Sequence, residues 1–214
     1  MALRQILSRT RRVSSGLAYS SHRSYVGLPD EVQMLKDMVR TFADQELAPI
    51  AGKIDKEHMY PADQIRQMSE MGLMGINVPG EFGGSEMSAL AYAVGCEEIS
   101  RGCASAGVIM SAHNSLYIAP IVNWGNDEQK EKWVTDWASG GNIGCFGLSE
   151  PGNGSDAGAA STTATKVDGG YIINGTKAWI TNAYESSAAV VFATTDKSMK
   201  HKVFSIRLNL LIYH

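Results

Sequence analysis

The chain is short of cysteine, of clustered basic residues and, over one long stretch, of any charge, and each shortage removes a class of function. Its three cysteines, Cys96, Cys103 and Cys145, form no CxxC pair, which argues against a zinc site or a disulfide framework and for reduced structural thiols. No metal is expected, because His113 reads as a packed histidine and His58 as a solvated one, neither with a partner at ligand spacing. Residues 1–29 hold five arginines (Arg4, Arg9, Arg11, Arg12 and Arg23) and no Asp or Glu. Setting those five aside, 14 basic side chains face 22 acidic ones, a net of −8. With no Lys and Arg cluster after residue 29, the body lacks the footprint of a phosphate-backbone binder, so no nucleic-acid partner is expected. Between Arg101 and Asp127 no charged residue occurs, a length that by itself permits a membrane span. Ser105, Ser111, His113, Asn114, Ser115, Pro120 and Asn123 interrupt it. The segment therefore reads as the buried central helix of a bundle, and no membrane span is expected. A Walker loop and a GxGxxG fingerprint are also lacking.

What is present begins with an address. Residues 1–25 carry six serines, and Leu3, Ile6 and Leu7 are set among the arginines. Arginine-rich, serine-rich and acid-free is the composition of a mitochondrial transit peptide, with a disordered basic tail as the alternative. A secretory signal would need an apolar core unbroken by charge. The mature start is placed near Tyr25. Beyond it, 44% hydrophobic residues in 214 suffice for a packed core.

From Pro29 to about Ser139 the spacing is helical. Val32, Leu35, Val39, Phe42 and Leu47 form the stripe of an amphipathic helix expected to end near Pro49. Ile65, Met68 and Met71 form a second stripe after Pro61, placed in its first turn. Val78 to Gly84 breaks the run, a third helix is expected from Ser88 to Arg101, and the uncharged segment supplies a fourth. Asn126 with Gln129 forms a capping box for a further helix, whose Trp133 and Trp137 fall one turn apart on its inner face. After Gly140-Gly141 the composition turns to Gly, Ser, Thr and β-branched residues, with tight-turn signals at Asp168-Gly169 and Asn174-Gly175. The fold class is therefore α+β: an N-terminal all-α helical bundle domain, residues 28–140, followed by antiparallel β-structure from 141.

Two clusters carry the chemistry. Phe146-Gly147-Leu148-Ser149-Glu150-Pro151-Gly152-Asn153-Gly154-Ser155-Asp156 runs from a strand into a glycine-rich loop whose bare N–H groups suit a ligand's oxygens, although the same composition also makes an ordinary turn. Thr176-Lys177-Ala178-Trp179-Ile180-Thr181-Asn182 follows a turn and is expected to be a strand. Alternation then puts Trp179 and Thr181 on one face and Ile180 on the other, an indole beside a hydroxyl that suits a flat aromatic ligand. The commoner fate of a lone strand tryptophan is the core.

Together, Leu148 to Asp156 and Asn174 to Asn182 resemble the acyl-CoA dehydrogenases. Glu97-Glu98-Ile99-Ser100-Arg101-Gly102-Cys103-Ala104-Ser105, Val78 to Gly84 and Glu128-Gln129-Lys130 are similar to that family's N-terminal helical domain, and the likeness is strongest to its mitochondrial short-chain (butyryl-CoA) branch. The resemblance implies FAD as cofactor, an acyl-CoA substrate oxidised to the trans-2-enoyl-CoA, electron-transferring flavoprotein as electron partner, and the mitochondrial matrix as location. It also implies a homotetramer for full-length members. By this likeness Phe146, Gly147, Leu148, Ser149, Glu150, Pro151, Gly152, Asn153, Gly154 and Ser155 form the flavin-binding loop, and Ser155 also meets the acyl-CoA. Trp179, Ile180 and Thr181 line the flavin's other side, with the Thr181 hydroxyl toward N5. Glu150 is given a structural or capping role.

The likeness is expected to fail after Lys202, leaving 141–202 as a partial flavin-binding β-domain and 203–214 as a divergent, apolar and aggregation-prone tail. Family members continue into a C-terminal helical domain that carries the catalytic glutamate. On this reading that domain is missing, the β-domain is incomplete and no residue here is catalytic, since proton abstraction needs a positioned base. A flavoenzyme and a non-catalytic fragment that at most binds flavin or full-length subunits both stand. An acyl-CoA oxidase shares the flavin chemistry, but its peroxisomal setting fits the leader poorly.

Overall fold

A computed structural model describes residues 27–198 and the backbone of 205–209; the expected leader, 1–25, and the last residues of the tail lie outside these. The first stripe forms α1 (Asp30–Phe42), with Val32, Leu35, Val39 and Phe42 inward. It does not stop at Pro49. A wide π turn, Ala43–Leu47, re-registers the helix, which continues as α2 (Ala48–Glu57). Pro49 follows directly on that wide turn, where the helical hydrogen-bond ladder is already interrupted and a residue without an N–H is tolerated. His58, exposed and left-handed at φ 53°, ends it. α3 (Ala62–Glu70) buries Ile65 and Met68, with Pro61 one residue ahead of the helix, not inside its first turn.

Short helical turns at Leu73–Gly75 and Gly80–Phe82 lead to α4 (Ala89–Gly102), capped by the Ser88 hydroxyl accepting from the Ala91 N–H. The uncharged segment is one helical run: α5 (Ala104–Ser111), a π stretch Ala112–Ile118, and α6 (Ala119–Trp124). No helix among the described residues is long and apolar enough to cross a membrane. The capping box forms as read, Asn126 N donating to Gln129 Oε1 at 3.0 Å and Gln129 N to Asn126 Oδ1 at 2.8 Å. It opens α7 (Asp127–Trp133), which leads into the short α8 (Thr135–Ala138).

The α+β division holds, but one strand pairing differs from expectation. β2 (Thr163–Val167) and β3 (Gly170–Asn174) make an antiparallel hairpin about Asp168-Gly169. β1 (Gly144–Gly147), however, lies parallel to the central β4 (Ala188–Ala193), because the long excursion between them returns the chain in the same direction. β5 (Ser205–Asn209) then pairs antiparallel with β4. So part of the stretch expected to be a divergent tail completes the three-stranded sheet β1-β4-β5.

Period-two alternation gives this sheet two working faces. Phe146, Ala188 and Val190 pack on the helices with Tyr117, Ile121 and Trp137. Cys145, Ala189 and Val191 face the hairpin and loop through Ile173 and Ile180. The helical seam is tight: a Cβ on Gly144 would lie 2.0 Å from the Tyr117 ring. His113 bridges the same seam, Gly144 N donating to its Nδ1 at 3.1 Å while Nε2 lies 3.1 Å from the Trp137 carbonyl. Those partners fix a neutral ring with its proton on Nε2.

Candidate functional site

The loop after β1 is held by its own carboxylate. Glu150, 4% exposed, accepts from Lys177 Nζ at 2.8 Å, from Ser161 N and Oγ at 2.6 Å each, and from Thr162 N at 2.9 Å. Burial pushes its pKa up, but these donors outweigh burial and hold it well below the usual carboxylate range. Lys177 Nζ also donates to the Leu148 carbonyl at 2.9 Å, and Ala178 N to Ser149 O at 2.9 Å. The two sequence clusters are thereby laced together through one ion pair, one side-chain bond to a carbonyl and one backbone bond. At the loop tip, Glu150 and Asn153 exchange backbone bonds of 3.1 Å, and Asn153 Oδ1 accepts from Glu150 N at 3.0 Å.

The second cluster is not a strand. Residues 175–182 form an irregular segment in which Trp179 and Asn182 are left-handed, at φ 62° and 68°. Gly175 packs so closely on Thr162 that a Cβ would lie 2.2 Å from its hydroxyl, which reserves the position for glycine. The sorting of side chains nevertheless follows the expectation: Trp179 and Thr181 are exposed, while Ile180 turns inward against the sheet. Trp179, at 92% exposure, is no core aromatic.

The structure thus brings Phe146–Ser155 and Trp179–Thr181 together at one end of the sheet. Pro151, Gly152, Gly154 and Ser155 are exposed, Leu148 and Ser149 half-buried, and Gly147 buried in the strand. Among the described residues, the N–H groups of Gly152, Gly154 and Ser155 make no backbone hydrogen bond. Exposed amide donors and hydroxyls, on a loop bonded to the segment that carries a bare indole, suit a planar aromatic group with acceptor atoms along its edge, and this donor set fits a flavin. Beneath the segment, a cavity of about 410 Å³ lies between sheet and hairpin, lined by residues that include Cys145, Ile173, Lys177, Ile180 and Val191.

Sequence reasoning missed two members. Lys177 stood in the second cluster without a role, although a lysine near a buried loop carboxylate is its natural counter-ion. Asn182 was read as the end of a strand; its readiness to be left-handed was the available signal. Among the described residues, no group of three or more His, Cys, Asp or Glu could hold a metal.

The profile of the acyl-CoA dehydrogenase N-terminal domain matches residues 29–141, and that of the middle domain matches 145–209, past Lys202 and through β5. The mitochondrial short-chain specific acyl-CoA dehydrogenase of Homo sapiens is 58% identical over 180 residues, 84% of this chain and 44% of that protein. Butyryl-CoA dehydrogenase from Megasphaera elsdenii superposes with a TM-score of 0.81 at 32% identity, covering 86% of this chain and 49% of that one. An acyl-CoA dehydrogenase from Bacillus anthracis complexed with FAD gives 0.78 at 31% identity, covering 85% and 31%. The chain therefore spans less than half the length of each.

Proposed function

The chain belongs to the acyl-CoA dehydrogenase family, and we propose that it contributes one side of an FAD site for the oxidation of short-chain acyl-CoA to trans-2-enoyl-CoA. The observation that carries this reading is the joining of Phe146–Ser155 to Trp179–Thr181 by the Glu150–Lys177 pair, with the ligand-facing groups left exposed. The loop amides and the Ser149 hydroxyl are the donors for the flavin edge. Trp179 offers a stacking face, Thr181 a hydroxyl for N5, and Ser155 a contact to the acyl-CoA. The flavin supplies the acceptor for a hydride.

In the whole reaction the acyl-CoA loses its α-proton to a carboxylate base and its β-hydrogen as hydride, so that the Cα–Cβ bond becomes double. Bound flavin would hand both electrons on to electron-transferring flavoprotein. Glu150 does not serve as that base: its oxygens are taken up by four donor groups, and its lowered pKa makes it a poor proton acceptor. We assign the base to the C-terminal helical domain of full-length members, and to the residues described here the flavin-facing side of the site. Residues 1–25 are assigned as a transit peptide to the mitochondrial matrix, and tetramer formation to the full-length protein.

The test is the absorbance spectrum of the purified chain from Tyr25 onward, before and after incubation with FAD and removal of free flavin. A retained, perturbed flavin band is the expected result. Folded but colourless protein overturns the proposal.

A further inference from the structure

Asn182 sits at the junction of everything that positions the flavin-facing segment. It is 7% exposed and left-handed at φ 68°. Its Nδ2 donates to the Ile109 carbonyl of α5 at 3.2 Å and to the Gly144 carbonyl of β1 at 3.4 Å. One side-chain amide thus ties residues 179–182 to the helical unit and to the sheet at once. The tie has a cost, since Oδ1 is buried without a hydrogen-bond partner among the described residues. An unpaired buried acceptor is destabilising, since it has given up its water and gained no donor in return. Two left-handed non-glycine residues within four positions, Trp179 and Asn182, add backbone strain. Strain and an unpaired acceptor in one short segment, beside side chains that pack nothing, mark a shape held for a purpose other than stability.

We propose that Asn182 is a positioning residue for the cofactor: its tether sets the turn that presents Thr181 and Trp179 in a fixed pose. This rests on the flavin reading above. Asn182 adjoins Thr181 and lines with it a cleft of about 380 Å³ between α5 and the segment, so the tether acts at the wall that Thr181 helps to form. Any residue that tolerates the left-handed turn preserves the backbone path, but only one with a side-chain donor at this reach holds both carbonyls.

Two variants of the full chain separate the tether from the turn. Asn182→Gly keeps the left-handed turn and removes the tether; Asn182→Asp keeps the shape but turns an acceptor oxygen toward two carbonyl oxygens. Amide hydrogen exchange without flavin is expected to speed up across residues 178–183 in both, with α1 and α4 unchanged. With FAD, affinity is expected to fall about tenfold, the worth of a lost hydrogen bond, and the flavin band and reduction potential to shift. In a Thr181→Val background the same Asn182→Gly change is expected to add little further shift, because its effect runs through Thr181. Wild-type exchange rates in both variants, or fully additive potential shifts, overturn the proposal. If the unaltered chain retains no FAD, the flavin reading itself fails and takes the cofactor role with it, whereas the exchange comparison still decides whether the tether exists.

Discussion

Glu98 and Glu150 are both buried carboxylates, one in the helical half and one in the loop half, and their surroundings teach what each half is for. Glu98, with no exposed surface, accepts from Arg40 Nε at 2.9 Å and Nη2 at 2.7 Å, and from Arg101 Nε at 3.1 Å. The Arg40 hydrogen bonds, reinforced by Arg101, lower its pKa against the pull of burial. Both arginine side chains keep nearly half their surface in water, at 47% and 42%, and Arg101 has a second partner in Asp44 at 2.7 Å. This brace ties α1 to α4 from the rim. At Glu150 the cation is inside as well, with Lys177 only 13% exposed. A rim brace tolerates loss of a partner because water replaces it; an internal clamp does not.

The largest expected effect follows from that contrast. Lys177→Met leaves the Glu150 charge buried with its cation gone and is expected to cost roughly 3–5 kcal/mol, whereas Glu98→Ala, whose arginines rehydrate, costs about 1–2 kcal/mol. Urea titrations monitored by circular dichroism measure both. Equal losses would show that exposure of the cation does not govern the cost.

Acid sharpens the comparison through a third group at the seam between the halves. Burial lowers the His113 pKa from 6.5 to about 4. A base whose folded pKa is depressed stabilises the fold fully above its unfolded value and loses that contribution as pH falls toward the folded one. Stability is therefore expected to decline by about 3 kcal/mol between pH ~6.5 and ~4 through His113. Glu150 and Glu98 act lower. Their pKa values are depressed too, so the contribution they make above the ordinary carboxylate range disappears only as pH falls through their lowered values. Two acid phases are expected in urea midpoints measured from pH 7.5 downward, and His113→Gln is expected to remove the upper one. An upper phase unchanged in that variant would assign it elsewhere.

Much of the helical half was legible because each of its elements announces itself locally. Asn126 caps where a cap was expected, a helix starts after Ser88 as expected, and the stripe from Val32 to Leu47 faces inward. The prolines failed there: Pro61 stands one residue ahead of its helix, and at Pro49 a π turn changes the register at which a proline is tolerated, which no spacing rule encodes in advance. In the β half the hairpin at Asp168-Gly169 was legible, but the parallel neighbour of β1 was not, because its partner lies more than forty residues on and only tertiary packing selects it. The site was legible as composition and as likeness to a family. Its construction was not: Lys177 meets Glu150 across 27 positions and Asn182 meets Ile109 across 73, distances at which local pattern is silent.

Trp179 gives the smallest stability effect and the most direct functional one. Its side chain is 92% exposed in a left-handed residue, a pose that alanine pays for about as much as tryptophan does, so Trp179→Ala is expected to change stability by no more than about 0.5 kcal/mol. If the indole stacks on the isoalloxazine ring, its removal forfeits an aromatic pair worth about 0.5–1.5 kcal/mol beyond the buried area, which weakens FAD severalfold and relieves quenching of flavin fluorescence. Lys177→Met is expected to lose flavin by unmaking the loop, Trp179→Ala by unmaking only the contact. Equilibrium dialysis with FAD beside a urea curve separates them, and a Trp179→Ala chain with unchanged flavin affinity and fluorescence would remove the indole from the site.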